Sequence, residues 1–284
     1  MIRISGTIFA AAMGLAFGSF LNVCLSRWPS GESVVLPGSH CRHCERVLAW
    51  WENVPLLSWL ALRGRCRTCR AWIGWRYPLA ELAVSVLWTD VAWRSNHAFF
   101  PLEFALGMMY FTWVLIALSI FDAEHYWLPD ALILPSIAVG FFWRFFQGEQ
   151  IGWTLHIPTA QQEYARDALN LLLGILAAAG LILLIRWMYW LIRRREGVGL
   201  GDAKLMSLLA AWLGLPQTLL AFGVGVTLGA LAAIVMLVLP KARRDSESWA
   251  ASKLPLGTFL CIGGIVSSLW GKPILDAYLR LAGF

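Results

Sequence analysis

Two acidic segments hold the residues best suited to proton transfer in this chain. Their acidic members are Asp122, Glu124 and Asp130 in residues 121–130, and Glu196 and Asp202 in residues 196–204. Ionising two carboxylates that are held close together costs free energy, because their negative charges repel. One therefore keeps a proton while the other acts as a base. The base can take a proton from an attacking water, and the acid can donate to the carbonyl oxygen of a peptide. If the two segments meet, they predict an aspartic hydrolase.

Structural alternatives exist for each of these carboxylates. Asp is a favoured N-cap, so Asp202 could serve only to begin a helix. Asp122 and Asp130 could be solvated interface residues, with Pro129 marking a helix start. Spacing alone does not select Asp122 over Asp130 or Glu124. The glycines at 199 and 201 favour the catalytic interpretation, because a backbone without Cβ can approach an extended substrate closely.

Four cysteines form a second group with chemical meaning. Cys41-x-x-Cys44 and Cys66-x-x-Cys69 are separated by 21 residues, which is close to the spacing of paired knuckles in a four-thiolate zinc site. Such a site is structural, because four thiolates leave no position for water. Disulfides or free thiols are the alternative, and the flanking His40 and His43 could substitute as ligands. Two further cysteines are predicted to be small apolar filler inside helices, namely Cys24 and Cys261.

The elements that must position these residues are membrane helices. The 284 residues are 59% hydrophobic and only 14% charged, with a mean hydropathy of +0.64. Soluble domains are about 45–50% apolar and about 25% charged, so a soluble globule is excluded. Seventeen Trp and fifteen Phe exclude a disordered chain. The composition therefore predicts a multi-spanning membrane protein.

Eight apolar stretches are candidates for membrane spans, since a helix needs about 20 apolar residues to cross. They cover residues 4–25, 78–93, 99–121, 128–146, 168–192, 204–215, 219–239 and 255–270. The second and sixth are short, and the boundary between the sixth and seventh, at Leu215 and Pro216, is the least secure. The first is longer than the apolar core of a usual signal peptide, which favours a retained helix.

Basic residues predict the orientation of these spans, because Lys and Arg are retained on the cytoplasmic side. Residues 26–77 carry eight arginines against three acids, so this loop is predicted to be cytoplasmic. Alternation then places 147–167 outside, 193–195 and the basic residues of 241–253 inside, and both termini outside. Both acidic segments fall on the cytoplasmic face, so Asp122 and Asp202 can meet in space. The net charge of +6 reflects this bias and argues little for nucleic acid.

Several motifs together make the chain resemble the type IV prepilin peptidases, which are bifunctional leader peptidases and N-methyltransferases of the Gly-x-Gly-Asp class of membrane aspartyl proteases. Outside the segments already described, the matching motifs are Gly18-Ser-Phe-Leu-Asn22-Val, Glu52-Asn-Val-Pro55-Leu-Leu-Ser58-Trp, Arg63-Gly-Arg-Cys66, and Arg76-Tyr-Pro-Leu-Ala-Glu81-Leu. They recur from about residue 18 to 206. The chain departs from the common pattern at Cys24-Leu-Ser26 and in its tryptophan-rich segment 49–51.

The resemblance implies cleavage of a short basic leader after a glycine in type IV prepilins or pseudopilins. Methylation of the new N-terminus by S-adenosylmethionine would follow. It also selects Asp122 and Asp202 as the catalytic pair, by analogy with the family. No glycine-rich cofactor fingerprint is visible, so the methyl-donor site is placed only near the cysteine loop.

Taken together, the sequence predicts an all-α integral membrane protein with about eight transmembrane helices. The predicted parts are a first helix over 1–25, a cytoplasmic zinc-binding loop over 26–77 that is associated with methyl transfer, and a polytopic peptidase region over 78–284. Zinc and S-adenosylmethionine are the predicted cofactors. The predicted partners are prepilins or pseudopilins and the lipid bilayer, and nucleic acid is not expected. The predicted location is a bacterial inner membrane, with the active site facing the cytoplasm. An intramembrane aspartyl protease with other substrates, and a transporter or assembly scaffold that uses membrane carboxylates, are the alternative functions.

Overall fold

A computed structural model describes residues 2–98, 101–155, 160–195, 199–238 and 254–283, with side chains at all of these except 2–4, 98, 147–155, 160–165 and 237. Two sets of residues used in the sequence analysis lie outside the described residues. They are Glu196 of the second acidic segment and the basic residues of 241–253, which supported the predicted orientation. The described chain is helical and has no strands beyond two isolated bridges. The prediction of an all-α architecture is therefore confirmed.

The described helices follow the predicted spans closely. They are α1 (Ile2–Arg27), α2 (Leu57–Ala61), α3 (Arg76–Ala98), α4 (Leu102–His125), α5 (Asp130–Leu155), α6 (Ala160–Arg193), α7 (Leu200–Leu213), α8 (Leu215–Val238) and α9 (Leu256–Leu281). Each of the eight predicted spans overlaps one helix other than α2, and α2 lies in the cysteine loop. The insecure boundary between the sixth and seventh spans falls at Gly214, whose φ of 79° turns the chain between α7 and α8.

Fewer helices qualify as spans by length and apolar composition than the sequence predicted. Within the described residues the five that qualify are Ser5–Ser30, Leu102–His125, Arg166–Arg193, Leu215–Met236 and Leu256–Leu281. Helix α3 carries Glu81, Asp90 and Arg94, which lower its apolar content. Helix α7 has 14 residues and is therefore about 21 Å long, against about 30 Å of hydrocarbon. The exact count of eight is thus not given by composition alone.

The chain divides into two compact units, Met1–Ala117 and Leu118–Phe284. In the first, α1 packs against α3 at two glycines spaced by four residues. A Cβ at Gly14 or Gly18 would lie only 2.6 Å from the Cα of Ser85 or Glu81, respectively. Small residues at this spacing allow the close helix approach that is typical of membrane interfaces.

In the second unit, α7 is the buried central element. It contacts α5, α6, α8 and α9, and all of its residues from Asp202 to Leu213 are buried except Lys204. The Trp212 indole fixes α5 beside it, because Nε1 donates to the carbonyl oxygen of Ser136 at 2.9 Å. A Cβ at Gly140 would lie 2.5 Å from that indole. The last turn of α7 is thereby held against α5.

Candidate active site and metal centre

Asp122 lies in the last turn of α4 and is only 7% exposed. Its Oδ2 accepts two hydrogen bonds from Thr258 in the first turn of α9, from the backbone N–H at 2.6 Å and from Oγ1 at 3.1 Å. The same hydroxyl lies 3.0 Å from the carbonyl oxygen of Ser119. An orphan N–H at the start of α9 therefore holds one carboxylate oxygen, and neither hydrogen bond from Thr258 occupies Oδ1.

Asp202 lies in the first turn of α7 and is 9% exposed. Its Oδ2 accepts a hydrogen bond from the backbone N–H of Gly199 at 3.2 Å. Gly199 is the N-cap of α7, so Asp202 stands three residues inside the helix rather than at the cap itself. Its carboxylate satisfies one N–H at the helix start, and this structural role occupies one of its two oxygens.

Helices α4, α7 and α9 bring the two buried carboxylates together. Leu128, in the short segment after α4, lies beside the first turns of both α7 and α9, and Cys261 of α9 is fully buried. Two glycines provide the space between these helices. A Cβ at Gly257 would lie 2.9 Å from Asp122 Oδ2, and a Cβ at Gly201 would lie 3.1 Å from Leu128 Cδ1.

The other two acidic candidates of the first segment stand apart from this pair. Asp130, at the start of α5, is exposed and accepts two hydrogen bonds from Lys204 Nζ, at 2.7 and 2.8 Å. This ion pair ties α5 to α7. Glu124 is exposed, with its Oε2 3.9 Å from Nε2 of His125. Of the sequence candidates within the described residues, Asp122 and Asp202 are therefore the two that share a buried position.

Sequence reasoning missed Thr258 and Gly257. Both follow Pro255 at the start of the last helix, where the sequence predicts only the beginning of an ordinary span. A signal was present, because a Pro-x-Gly before an apolar run marks an irregular helix start. What the sequence did not contain was the partner of that helix start, which lies 136 residues earlier at Asp122.

The four cysteines of the loop converge as predicted. Their Sγ atoms all lie within 4.8 Å of one another, and those of Cys41 and Cys69 are 3.8 Å apart. A tetrahedral zinc site with Zn–S bonds of about 2.3 Å requires sulfurs about 3.8 Å apart, so the cluster fits this ion. The flanking His40 and His43 are not part of the cluster in the described residues.

Each cysteine pair sits in a matching knuckle. The first is closed by hydrogen bonds from the N–H of Cys41 to Arg46 O and from the N–H of Glu45 to Cys41 O. The second repeats the pattern around Cys66, with Arg70 and Ala71 in the equivalent positions. Glu45 and Arg70, which follow the second cysteine of each pair, have φ values of 57° and 59°. The repeated turn aims both thiols of a pair at one point.

The loop also contains a cluster of aromatic side chains and a buried ion pair. Three indoles pack together, with ring centroids 4.5 to 6.0 Å apart, and belong to Trp59, Trp72 and Trp75. Glu52 is buried, and Arg46 donates two hydrogen bonds to it, at 2.7 and 3.0 Å. The guanidinium and the N–H of Ala49 hold the pKa of the Glu52 carboxyl below its usual range. The ion pair links the first knuckle to Glu52, and the indole of Trp72 links the second knuckle to Trp59.

Comparison with known proteins identifies the family. The profile of the bacterial peptidase A24 N-terminal domain matches residues 12–95, and that of the type IV leader peptidase family matches residues 109–234. Prepilin leader peptidase/N-methyltransferases from Stutzerimonas stutzeri and Pseudomonas aeruginosa are each 35% identical to the chain, over 96% of it and 93% of their own length. The chain belongs to the type IV leader peptidase family.

A relative with a different name extends this match. The type 4 prepilin-like proteins leader peptide-processing enzyme of Escherichia coli O78:H11 is 32% identical over 92% of both chains. No solved structure matches the chain significantly. The predicted family is confirmed, and so is the predicted enzyme class of a peptidase that is also a methyltransferase. All three relatives carry the names of processing enzymes, which argues against a transporter or a scaffold.

Proposed function

We propose that this enzyme cleaves the basic leader of type IV prepilins or pseudopilins with Asp122 and Asp202, and then methylates the new N-terminus. The observation that carries the proposal is the burial of these two interacting carboxylates at the start of α7 and the end of α4. They lie in the region matched by the type IV leader peptidase profile. A buried pair that shares a proton is the state that aspartic hydrolysis requires.

The contacts of the two carboxylates suggest how they divide the chemistry. Asp122 Oδ2 accepts two hydrogen bonds from Thr258, an environment that stabilises a carboxylate. Asp122 is therefore assigned as the base that takes a proton from the attacking water. Asp202 accepts one hydrogen bond, from Gly199, and is assigned as the acid that donates to the carbonyl oxygen. The amide C–N bond then breaks as Asp122 passes the proton it took from water to the leaving nitrogen, and the hydroxyl formed at the former carbonyl oxygen returns its proton to Asp202.

The membrane supplies the positioning of the substrate in this proposal. A prepilin with a basic leader and an apolar helix would enter laterally through lipid, with its scissile bond at the depth of the carboxylates. The arginines of residues 26–77 favour an active site at the cytoplasmic face of a bacterial inner membrane. The predicted division into a first helix, a loop over 26–77 and a peptidase region over 78–284 belongs to the same proposal.

For methyl transfer, the proposal places both cofactors in the first unit. Zinc would be held by Cys41, Cys44, Cys66 and Cys69 and would stabilise the loop. S-adenosylmethionine would bind beside this loop and supply an electrophilic methyl group. That methyl group would pass to the N-terminal amine of the processed pilin, which would lose a proton, and the sulfonium sulfur would leave as a neutral thioether.

The test is processing of a prepilin by the purified enzyme in the presence of S-adenosylmethionine, followed by mass spectrometry. Asp122→Asn and Asp202→Asn should each reduce leader cleavage by at least about 10³-fold, because the remaining carboxylate can no longer share a proton with a second one. Asp130→Asn is the matched control and should retain cleavage, since Asp130 is exposed and paired with Lys204. Persistent processing by either dyad variant would refute the assignment. Cleavage that shows no preference for a glycine before the scissile bond would favour the alternative of an intramembrane aspartyl protease with other substrates.

A further inference from the structure

A cavity of about 720 Å³ lies within the first unit, between the end of α1, the cysteine loop and the start of α3. Its size is in the range of sites for small molecules. Among its lining residues are Ser19 and Asn22 of α1, Glu52 and Trp59 of the loop, and Glu81 of α3. All of these residues belong to the first unit, whereas the aspartate pair belongs to the second.

Glu81 is a buried carboxylate without a cation. It is only 7% exposed, and its Oε2 accepts a hydrogen bond from the backbone N–H of Leu56 at 2.8 Å. Ser19 and Asn22 are its other polar neighbours. No basic side chain pairs with Glu81 in the part of the chain that the structure describes. Buried carboxylates are normally paired, so this one calls for a positive partner.

Asn22 adds a second acceptor without a donor. The residue is 3% exposed, and its Nδ2 donates to the carbonyl oxygen of Tyr77 at 2.9 Å. This hydrogen bond fixes the orientation of the amide, and it leaves Oδ1 buried with no hydrogen-bond partner among the described residues. Buried amide oxygens without partners are rare and require an explanation.

The other buried carboxylate of the same cavity makes the contrast clear. Glu52 receives two hydrogen bonds from Arg46 and one from the N–H of Ala49, at 2.8 Å. Its charge and its acceptor capacity are both satisfied within the loop. Glu81 and Asn22 therefore form a local excess of acceptors in the cavity.

From this excess we infer that Glu81 and Asn22 form a binding site for an ammonium-bearing ligand. An ammonium group offers a positive charge and three donors, which complement one carboxylate and one amide oxygen. The inference rests on the proposed methyltransferase function, which supplies two ligands of this chemistry. One is the methyl donor with its α-ammonium and sulfonium, and the other is the free N-terminus of the processed pilin.

The test measures binding directly, without methyl transfer or cleavage. The full-length enzyme in detergent is titrated with sinefungin, an amine-bearing analogue of the methyl donor, and separately with a synthetic peptide that copies a processed pilin N-terminus. Glu81→Gln keeps the shape of the side chain and an acceptor for the Leu56 N–H. Asn22→Ala is the second variant. Asp90→Asn is the control, because it removes one negative charge from the same helix at a partly exposed site paired with Arg94.

We expect Glu81→Gln and Asn22→Ala to raise the Kd of one of the two ligands by about tenfold or more, and Asp90→Asn to leave both unchanged. Weakened binding of sinefungin alone assigns the methyl donor, and weakened binding of the peptide alone assigns the acceptor. In the second case, N-acetylation of the peptide should weaken binding to the wild-type enzyme and not to Glu81→Gln. Unchanged binding of both ligands by Glu81→Gln would overturn the site. A wild-type enzyme that binds neither ligand would instead refute the methyltransferase proposal, and this site with it.

Discussion

The contact between Thr258 and Asp122 places an uncharged residue at the centre of the proposed proton transfer. The hydroxyl can donate either to Asp122 Oδ2, at 3.1 Å, or to Ser119 O, at 3.0 Å. When Asp122 is ionised, donation to the carboxylate is favoured. When Asp122 carries the proton, the hydroxyl can turn to the carbonyl oxygen. Thr258 can therefore follow the charge of Asp122 without a change in backbone conformation.

We predict that Thr258→Val slows cleavage by about tenfold, because a hydrogen bond to a charged group contributes roughly 1.5 kcal/mol. Valine keeps the shape of the side chain and the backbone N–H that donates at 2.6 Å. The loss should therefore fall on kcat rather than on KM, as measured by initial rates over a range of prepilin concentrations. Thr258→Ser keeps the hydroxyl and is expected to restore most of the rate. Equal kcat values for valine and wild type would show that the hydroxyl is not used.

At the scale of elements, the sequence predicted the parts of the site better than their assembly. The type of chemistry followed from the two acidic segments and from the spacing of the four cysteines, because these are local patterns. The choice of Asp122 over Asp130 came only from the resemblance. The ion pair that occupies Asp130 could not be predicted, because its partner Lys204 lies 74 residues further along the chain. The role of Thr258 depends on a contact over 136 residues. Such contacts are set by helix packing, which leaves no periodic signal in the sequence.

The two knuckles of the cysteine loop should depend on zinc for their shape. We expect about one zinc per chain by elemental analysis, since the four sulfurs are placed for one tetrahedral ion. Cys41→Ser combined with Cys66→Ser removes one ligand from each knuckle and should abolish zinc binding. The loop should then become sensitive to trypsin, because its arginines are no longer held in ordered turns.

Cys24→Ser is the matched control for the zinc experiment. Cys24 is buried in α1 and is not part of the four-sulfur cluster. This variant should therefore retain both the metal and the resistance of the loop to trypsin. A metal-free enzyme with a protease-resistant loop would contradict a structural role for zinc.

At the scale of the whole molecule, contacts within the second unit bear on which helices cross the membrane. The end of α4 and the start of α7 lie on one side, because Asp130, just after α4, pairs with Lys204 near the start of α7, so the chain between them must cross an even number of times. Helix α6 is apolar and long enough to cross, and α5 must therefore cross as well. The start of α9 also meets the end of α4 through Thr258 and Asp122. Since α8 qualifies as a span, the short α7 must cross with it.

This parity argument predicts the sides on which two distant points of the chain lie. If α3 crosses beside α1, seven crossings separate the cysteine loop from the C-terminus, and the two lie on opposite sides. If only the helices that qualify by composition crossed, four crossings would follow the loop and both points would share one side.

An epitope inserted at the exposed Gly31, where a side chain would meet nothing within 4 Å, should therefore be reached by antibody only in inverted vesicles. An epitope added after Phe284 should be reached only in spheroplasts. Detection of both epitopes in the same preparation would contradict eight crossings, and detection of the Gly31 epitope in spheroplasts would reverse the orientation that the arginines of the loop predict.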